Sequence, residues 1–506
     1  MFIRKKKNDS GVISIQILRK YQGKNKLIET IGSSSDPQQV EQLCQQAKER
    51  ISKLGQQSSL NFDVEKERAL SDLFFTGLNE IRLMGPELLL GKLFDDIGFK
   101  AIKDKLFRSL VLTRLVYPVS KLKTTDYWFK YNGTVIDVDR IYRYLDKLNS
   151  KHKEVIQQIS YQHTLQILNN RISMVFYDVT TLYFEIEEPD ELRKTGFSKD
   201  GKHQHPQIVL GLLVSVDGYP LAYEIFEGNK YEGHTLMPVL ESFRTKYNLE
   251  KLVVIADAGL LSHDNVEELR NKQYEYILGA RIKNESQAIK EKILALKLKN
   301  GESVVLNNDE QSHLIISYSD GRARKDAATR KRGLEKLERT IASGKLTKQS
   351  INNRGYNKYL KLDGKINITI DYEKYKDDSK WDGLKGYLTN TALSKDDVIN
   401  NYGQLWKIEK AFRISKTDLR IRPIYHRLQK RIEAHICIAF CAYKIYKELE
   451  RLLKEKKSEL SPEKAIDILK TIFRITIILP YSKTKESRLF LPNEEQRTLL
   501  NMFQIT

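Results

Sequence analysis

The sequence predicts an α/β fold, and three observations predict it. Residues 171–177, 208–216 and 220–226 are apolar runs of strand length, the last two joined by the turn "DGYP" as a hairpin. A helical pattern at about 234–247, a strand "KLVVIADAG" at 251–259, a helix from Ser262 to Lys272 and a strand "YEYILGAR" at 274–281 then alternate. After a long basic interruption, a strand "GLKGYLTN" returns at 383–390. Three antiparallel strands, then helix, strand, helix, strand, is an α/β order.

Each segment has a local reason. At the start, "GVISIQILRKYQGKNKLIETIG" reads as two strands around "YQGKNK", with clear alternation in "VISIQIL", and Asp36 caps a helix over 37–56. Residues 1–60 are thus a small basic β/α module. Residues 61–170 are mainly helical, a candidate DNA-binding domain. Arg140, Arg143, Lys147 and Lys151 recur there at three- and four-residue spacing, a face that either contacts phosphates or is merely solvated. Ser262 is a helix N-cap. Residues 171–283 form the first part of the α/β core and 381–450 the second. Between them, 284–380 is a basic insertion whose densest run, 321–356, carries Arg322, Arg324, Arg330 and Arg332. That run is a solvated helical hairpin or a grip on DNA, and DNA is preferred because the run interrupts the core rather than trailing it. Ser394 caps a helix with Asp396 and Asp397 in its first turn, where the dipole favours acids. Helical pattern continues to about 416, a long, largely buried helix starts at 431, and 451–506 reads as a helical tail.

Composition narrows the class. Of 506 residues, 86 are Lys or Arg and 66 Asp or Glu, a net charge of +20 that favours a polyanionic partner. No apolar run approaches the roughly 18–20 residues of a membrane helix, and no apolar stretch follows the basic "MFIRKKKNDS", so no membrane association is expected and a cytoplasmic protein is. Cys44, Cys437 and Cys441 cannot build a disulfide framework.

The chemistry rests on carboxylates. Asp178 in "FYDVTT" and Asp257 in "VVIADAG" each end a buried strand. If those strands are neighbours the two acids converge, and ionised carboxylates a few ångströms apart need a cation between them. Hard divalent ions with oxygen ligands supply one. A third acid, Glu409, lies in "NNYGQLWKIEKAFRISKTDLR", with Tyr402 seven residues before it and Lys416 seven after. Seven residues is nearly two helical turns, so the three share a stripe with Leu405 and Phe412. Such a stripe is either a core seam or a site in which Glu409 completes a metal set while Tyr402 and Lys416 hold phosphate oxygens.

"YDVTT", "ADAGL" and Tyr402-x2-Leu405-x3-Glu409-x6-Lys416 resemble bacterial insertion-sequence transposases of the DDE class, in the subgroup with the Tyr-Arg-Glu-Lys signature. The likeness spans about 171–450, and "SKTDLRIRPIYHRLQKRIEAH" fits the same helical region. The first two motifs are weak alone; the ordered set of three is specific. Leu405 departs from the pattern where the signature has Arg, so that phosphate contact is either missing or supplied elsewhere, with Lys407 and Arg413 as the candidates. The resemblance implies a ribonuclease-H-like catalytic core with an insertion between its last strand and the Glu-bearing helix. The 151 residues between Asp257 and Glu409 leave room for one. It further implies two Mg²⁺ ions, or Mn²⁺ in their place, on Asp178, Asp257 and Glu409. They would cut transposon ends and join the 3′-OH to target DNA. It implies double-stranded DNA as partner, at inverted-repeat ends and target alike, and a homodimer on that DNA. Trp381, at the end of the insertion, is a stacking surface for a displaced base or a core residue. A ribonuclease-H-like nuclease without joining, and a non-catalytic transposase-derived DNA-binding protein, are the alternatives.

Overall fold

The computed structural model describes residues 1–505 except 187, 199–200, 250, 261, 310, 345, 347–350, 353–354, 364–366 and 492, and the backbone alone at 56–65, 149–151, 307–309, 363 and 367. The side chain of Lys151 and part of the basic run at 321–356 therefore lie outside the described residues. The chain forms two compact units, Met1–Arg82 with Phe473–Phe490, and Leu83–Ile472 with Leu491–Thr506.

In the first unit, the basic start Phe2–Lys7 is itself a strand and pairs with Ile13–Tyr21, which pairs with Lys24–Ser34. Three consecutive lysines suit an exposed edge. Asp36 caps the following helix by accepting from Gln38 N at 3.1 Å, but the helix runs on from Pro37 to Gly77 rather than stopping near 56. A second sheet joins Leu78–Leu83, Phe473–Ile478 and Lys485–Phe490. The tail expected to be helical thus holds two strands. Its "FRITII" ends in four consecutive β-branched residues, which suit a pleated surface better than a helix.

The second unit is built on one eight-stranded mixed sheet: β1 (Met174–Tyr183), β2 (Gln207–Ser215), β3 (Pro220–Glu227), β4 (Val253–Ala256), β5 (Glu275–Ala280), β6 (Ser303–Asp309), β7 (Ser312–Tyr318) and β8 (Leu384–Thr389), in the order β6-β7-β8-β5-β4-β1-β2-β3. β1 runs antiparallel to β2 and parallel to β4, and β4 runs parallel to β5. All nine residues of β2 are buried, as a continuous apolar run covered on both faces should be. Gly211 in its middle has no alternative: a Cβ there would meet the Tyr177 hydroxyl at 2.5 Å. Two parts of the expected insertion, β6 and β7, are not separate from the core; they extend its sheet past β8.

One face of the sheet holds Val175, Tyr177 and Val179 of β1 and Val254 and Ala256 of β4, packed against Leu240 and its neighbours. Leu240 belongs to a helix (Leu236–Tyr247), and a second helix over this face (His263–Asn271) is capped by Ser262, whose hydroxyl accepts from Asn265 N at 3.1 Å. Three further helices of the unit are α1 (Lys105–Val116), α2 (Lys121–Asn132) and α3 (Val138–Ile167), followed after the sheet by α4 (Lys395–Gly403), α5 (Trp406–Thr417) and α6 (Gln429–Glu455). α6 packs along α1 and α3, and α5 packs on β1. Cys437 and Cys441 are buried in α6. Among the described residues no helix is long and apolar enough to cross a membrane.

Candidate active site

The last registered pair between β1 and β4 is Tyr177 with Ala256. One step further on each strand stand Asp178 and Asp257. Side chains alternate across a sheet, so both acids point away from the face that holds Tyr177 and Ala256. Neighbouring strands lie about 4.8 Å apart, so the backbone positions of the two acids follow directly on a registered pair. Asp178 does not end its strand, however: β1 continues to Tyr183 and keeps its pairing with β2 throughout. What ends at Asp178 is the pairing with β4. Both acids are half-buried. Asp178 Oδ1 accepts from Val179 N at 2.7 Å, and Asp257 Oδ1 from Gly259 N at 2.9 Å and Leu260 N at 3.3 Å. The small-residue turn after β4 therefore fixes the second acid.

Tyr402, Glu409 and Lys416 do not share one helix. Ser394 caps α4 as expected, accepting from Asp397 N at 3.2 Å, but the chain turns at Gln404 and Leu405. Tyr402 closes α4, while Glu409 is in the first turn of α5 and Lys416 in its last. Leu405, Ile408 and Phe412 are buried, Glu409 is exposed and Lys416 half-buried. The stripe is thus a core seam in part, with its polar members beside it. Tyr402 is 7% exposed, and its hydroxyl lies against Gly279 of β5, beside the backbone of Ala258. Burial first, then the Asp257 carboxylate, push its phenol up, and Glu409 adds to this. Tyr402 therefore stays protonated and sits in the field of both acids.

Three carboxylates are the donor set a hard divalent cation takes. Register sets Asp178 and Asp257 one step past the last β1–β4 pair, and α5, which bears Glu409, packs on β1. The three side chains do not close to ligand distance as they stand: no group of three His, Cys, Asp or Glu residues with metal-binding spacing occurs among the described residues. Donor chemistry and backbone placement fit the ion; the exposed Glu409 side chain has to swing inward to complete the set.

α5 is held by a charge cluster on its far side. The Glu450 carboxylate of α6 accepts from Lys410 of α5 and Lys447 of α6. Burial alone would raise its pKa, but the two ammonium groups hold it down to about 2. The stability this gives is complete above the ordinary carboxylate range and is lost as the pH falls through about 2. Glu450→Gln leaves two lysines without their counter-charge and should lower unfolding free energy by about 3 kcal/mol. A denaturant titration at neutral pH checks it.

A cleft of about 670 Å³ runs past the end of β5 and β8, lined by Arg281, Lys283, Arg322, Arg330, Trp381 and Lys385, with Asp326, Asp378 and Asp382 also in its wall. Arg322 and Arg330 belong to the helix Asp320–Ala342. Arg322 is exposed, 3.6 Å from Asp326, while Arg330 is tied to Asp382 and covers the Tyr375 ring at 5.4 Å. Arg324 and Arg332 are exposed on the same helix but do not line the cleft. Trp381 is half-buried and packs with Ile282 and Leu314. Lys407 turns elsewhere: its Nζ donates to the Val216 carbonyl at 2.6 Å. Arg413 is exposed on α5. Lys385, which sequence reasoning missed, lies 4.3 Å from the Tyr402 ring centroid, and Tyr387 packs edge-on against the same ring at 5.1 Å. Burial and then Arg322 push the Lys385 ammonium down, with Glu409 opposing them. Nothing in "GLKGYLTN" marks that lysine; only pairing of β8 with β5 brings it there.

Residues 171–445, more than half of the chain, match the family described as Transposase DDE domain. The transposase for insertion sequence element IS231E of Bacillus thuringiensis subsp. finitimus is 26% identical over 238 residues, which is 44% of this chain and 45% of that protein. The chain thus spans less than half the length of that curated relative. Among solved structures, the cryo-EM structure of a piggyBac transposase synaptic complex with hairpin DNA is similar at a TM-score of 0.39 and 9% identity, over 77% of this chain and 79% of that one.

Proposed function

The chain belongs to the DDE-domain transposase family, and from that premise we propose that it is a DNA transposase that cuts transposon ends and joins their 3′-OH to target DNA. The observation that supports this reading is the register of β1 and β4, whose last pair, Tyr177 with Ala256, is followed on each chain segment by an aspartate, together with the packing on β1 of the helix that bears Glu409. The order β3-β2-β1-β4-β5, three antiparallel strands followed by two parallel ones, is that expected of a ribonuclease-H-like core. Asp178, Asp257 and Glu409 would hold two Mg²⁺ ions, with Mn²⁺ as a substitute; when bound, these supply charge neutralisation and a nucleophilic water.

The protein's own part is positioning and charge. Tyr402, protonated, offers a hydroxyl donor to a phosphate oxygen next to Asp257. Lys385 and Arg322 add positive charge at the same place, where Leu405 has replaced the arginine of the signature. Lys416 is the phosphate contact at the other end of α5. Arg281, Lys283 and Arg330 extend a basic path for duplex DNA, and Trp381 on its wall can stack on an unpaired base. Arg324, Arg332 and Arg413 are exposed cations available to DNA outside the cleft, and two protomers would pair the two ends.

A duplex ending in the inverted repeat that flanks the gene, labelled near its 3′ end, tests the reading. Incubated with the protein, Mg²⁺ and a supercoiled plasmid, it should yield label covalently joined to plasmid. Cut ends with no joined product would make the protein a nuclease; binding without cutting would make it a DNA-binding protein alone.

A further inference from the structure

A second cation-lined cavity lies away from the carboxylates, and we propose that it is a phosphate site that grips the DNA backbone beside the cut. It measures about 400 Å³ and lies between the start of α2 and the segment 420–426, with His435 of α6 in its wall. Two of its cations are interior: Arg114 is 6% exposed and Lys121 5%. Arg114 donates Nη1 to the Leu419 carbonyl at 3.4 Å and Nη2 to His435 Nδ1 at 3.5 Å. His435 Nε2 donates to the Ile421 carbonyl at 3.0 Å, which leaves Nδ1 as the acceptor and the ring neutral. His426 packs edge-on against His435 at 5.4 Å and is neutral too, because burial and then the Lys121 and Arg114 charges hold its pKa down to about 3. Neither histidine compensates the two cations.

No Asp or Glu is among the described residues that line the cavity, while Lys123, Arg420 and Arg422 add charge at its mouth. Buried unpaired charge is strongly unfavourable. Burial lowers the pKa of both groups, Arg114 to about 10, and Arg114 lowers Lys121 further. An anion would relieve this: the remaining N–H groups of Arg114, the Lys121 ammonium and the start of a helix line one space. Ser120 caps α2 there, accepting from Lys123 N at 3.3 Å, so the positive end of a 12-residue helix also points into it.

The cavity is fastened to the catalytic strand. Ile424 N donates to the Tyr183 carbonyl at 3.2 Å, and the Arg422 guanidinium lies 5.8 Å from the Tyr183 ring. Tyr183 is the last residue of β1, five past Asp178, or roughly 17 Å along a strand. That distance is about five base steps of duplex. A DNA backbone running that way from Asp178 would meet the mouth of the cavity first, where Lys123 and Arg420 are exposed, with Arg114 and Lys121 behind them. The choice of DNA as the owner of the phosphate rests on the transposase reading; a small free anion would satisfy the same chemistry.

The test uses the full chain and two probes, a fluorescein-labelled duplex of random sequence and inorganic phosphate. Plotting log affinity against log salt, Lys121→Met should lower the slope by about 0.9, the signature of one lost phosphate contact, and weaken binding about tenfold at low salt. Lys123→Gln and Arg420→Gln, at exposed positions, should act in the same direction and keep the test open if Lys121→Met fails to fold. Inorganic phosphate should raise the melting temperature of the wild type more than chloride at equal ionic strength, and leave that of Lys121→Met unchanged. Unaltered slope and affinity in all three variants would overturn the proposal. So would stabilisation by phosphate with unaltered duplex binding, which would make the cavity a small-anion site. Neither readout needs cleavage, so a failure of strand joining would count against the transposase reading and not against this site.

Discussion

Asp178→Asn, Asp257→Asn and Glu409→Gln should each reduce cutting of an inverted-repeat end by about a thousandfold or more, on the order of 4 kcal/mol of barrier. The expectation follows from charge. Each substitution keeps the size of the side chain but removes one of the negative charges on which a divalent cation depends, in a place where phosphoryl transfer draws on charge neutralisation and little else. The fold should survive. The contacts described for the two aspartates are backbone N–H groups donating to Oδ1, from Val179 to Asp178 and from Gly259 and Leu260 to Asp257, and the carbonyl oxygen of Asn accepts them equally well. Glu409 is exposed, so its amide costs nothing in burial. Melting temperatures within a few degrees of the wild type, with retained duplex binding and no cleavage, are the expected pattern. Near-normal cutting by any one variant would remove that residue from the site, and for Glu409 it would show that the carboxylate does not swing toward β1.

How far the sequence discloses this site depends on the range of the interaction. Ser262 and Ser394 are legible as caps because an N-cap contact closes over three residues. The two aspartates are legible as a pair because both follow apolar runs of strand length. What lies beyond Asp178 is not: an acid inside a strand looks like the strand's end, and only the continued pairing with β2 carries β1 on to Tyr183. The turn at Gln404 and Leu405 is invisible for a related reason, since the apolar spacing runs through it unbroken and only Gly403 hints at a stop. β6 and β7 looked like part of a separate insertion because edge pairing with β8 links residues some 70 apart, a register that no local pattern specifies. Arg114 and His435 meet across an even longer separation, so the buried cations lining the second cavity read in sequence as ordinary helix residues.

Gly279→Ala should lower cleavage about tenfold to a hundredfold and destabilise the fold by about 1–3 kcal/mol. Gly279 does not adopt a left-handed backbone, so the added methyl group acts by contact alone. Its Cβ would lie 2.4 Å from the Tyr402 hydroxyl and 3.0 Å from Ala258 N. The backbone atom cannot yield without moving the turn that fixes Asp257. The tyrosine cannot yield easily either, since Tyr387 packs edge-on against its ring and Lys385 covers it. On the proposed reading, either response would shift a group placed at the reacting phosphate. The two contacts can be separated: Tyr402→Phe removes the hydroxyl oxygen and leaves the next ring atom at 3.1 Å, which is tight but tolerable. Tyr402→Phe alone should cost cleavage through the lost donor and little stability. Combined with Gly279→Ala, it should recover the part of the lost stability that comes from the hydroxyl, leaving the part due to Ala258 N. Effects that add to within about 0.5 kcal/mol would mean that the hydroxyl is not what the glycine accommodates. A coupling above 1 kcal/mol would establish that β5 seats Tyr402, and through it the end of α4, against the turn that carries the second acid.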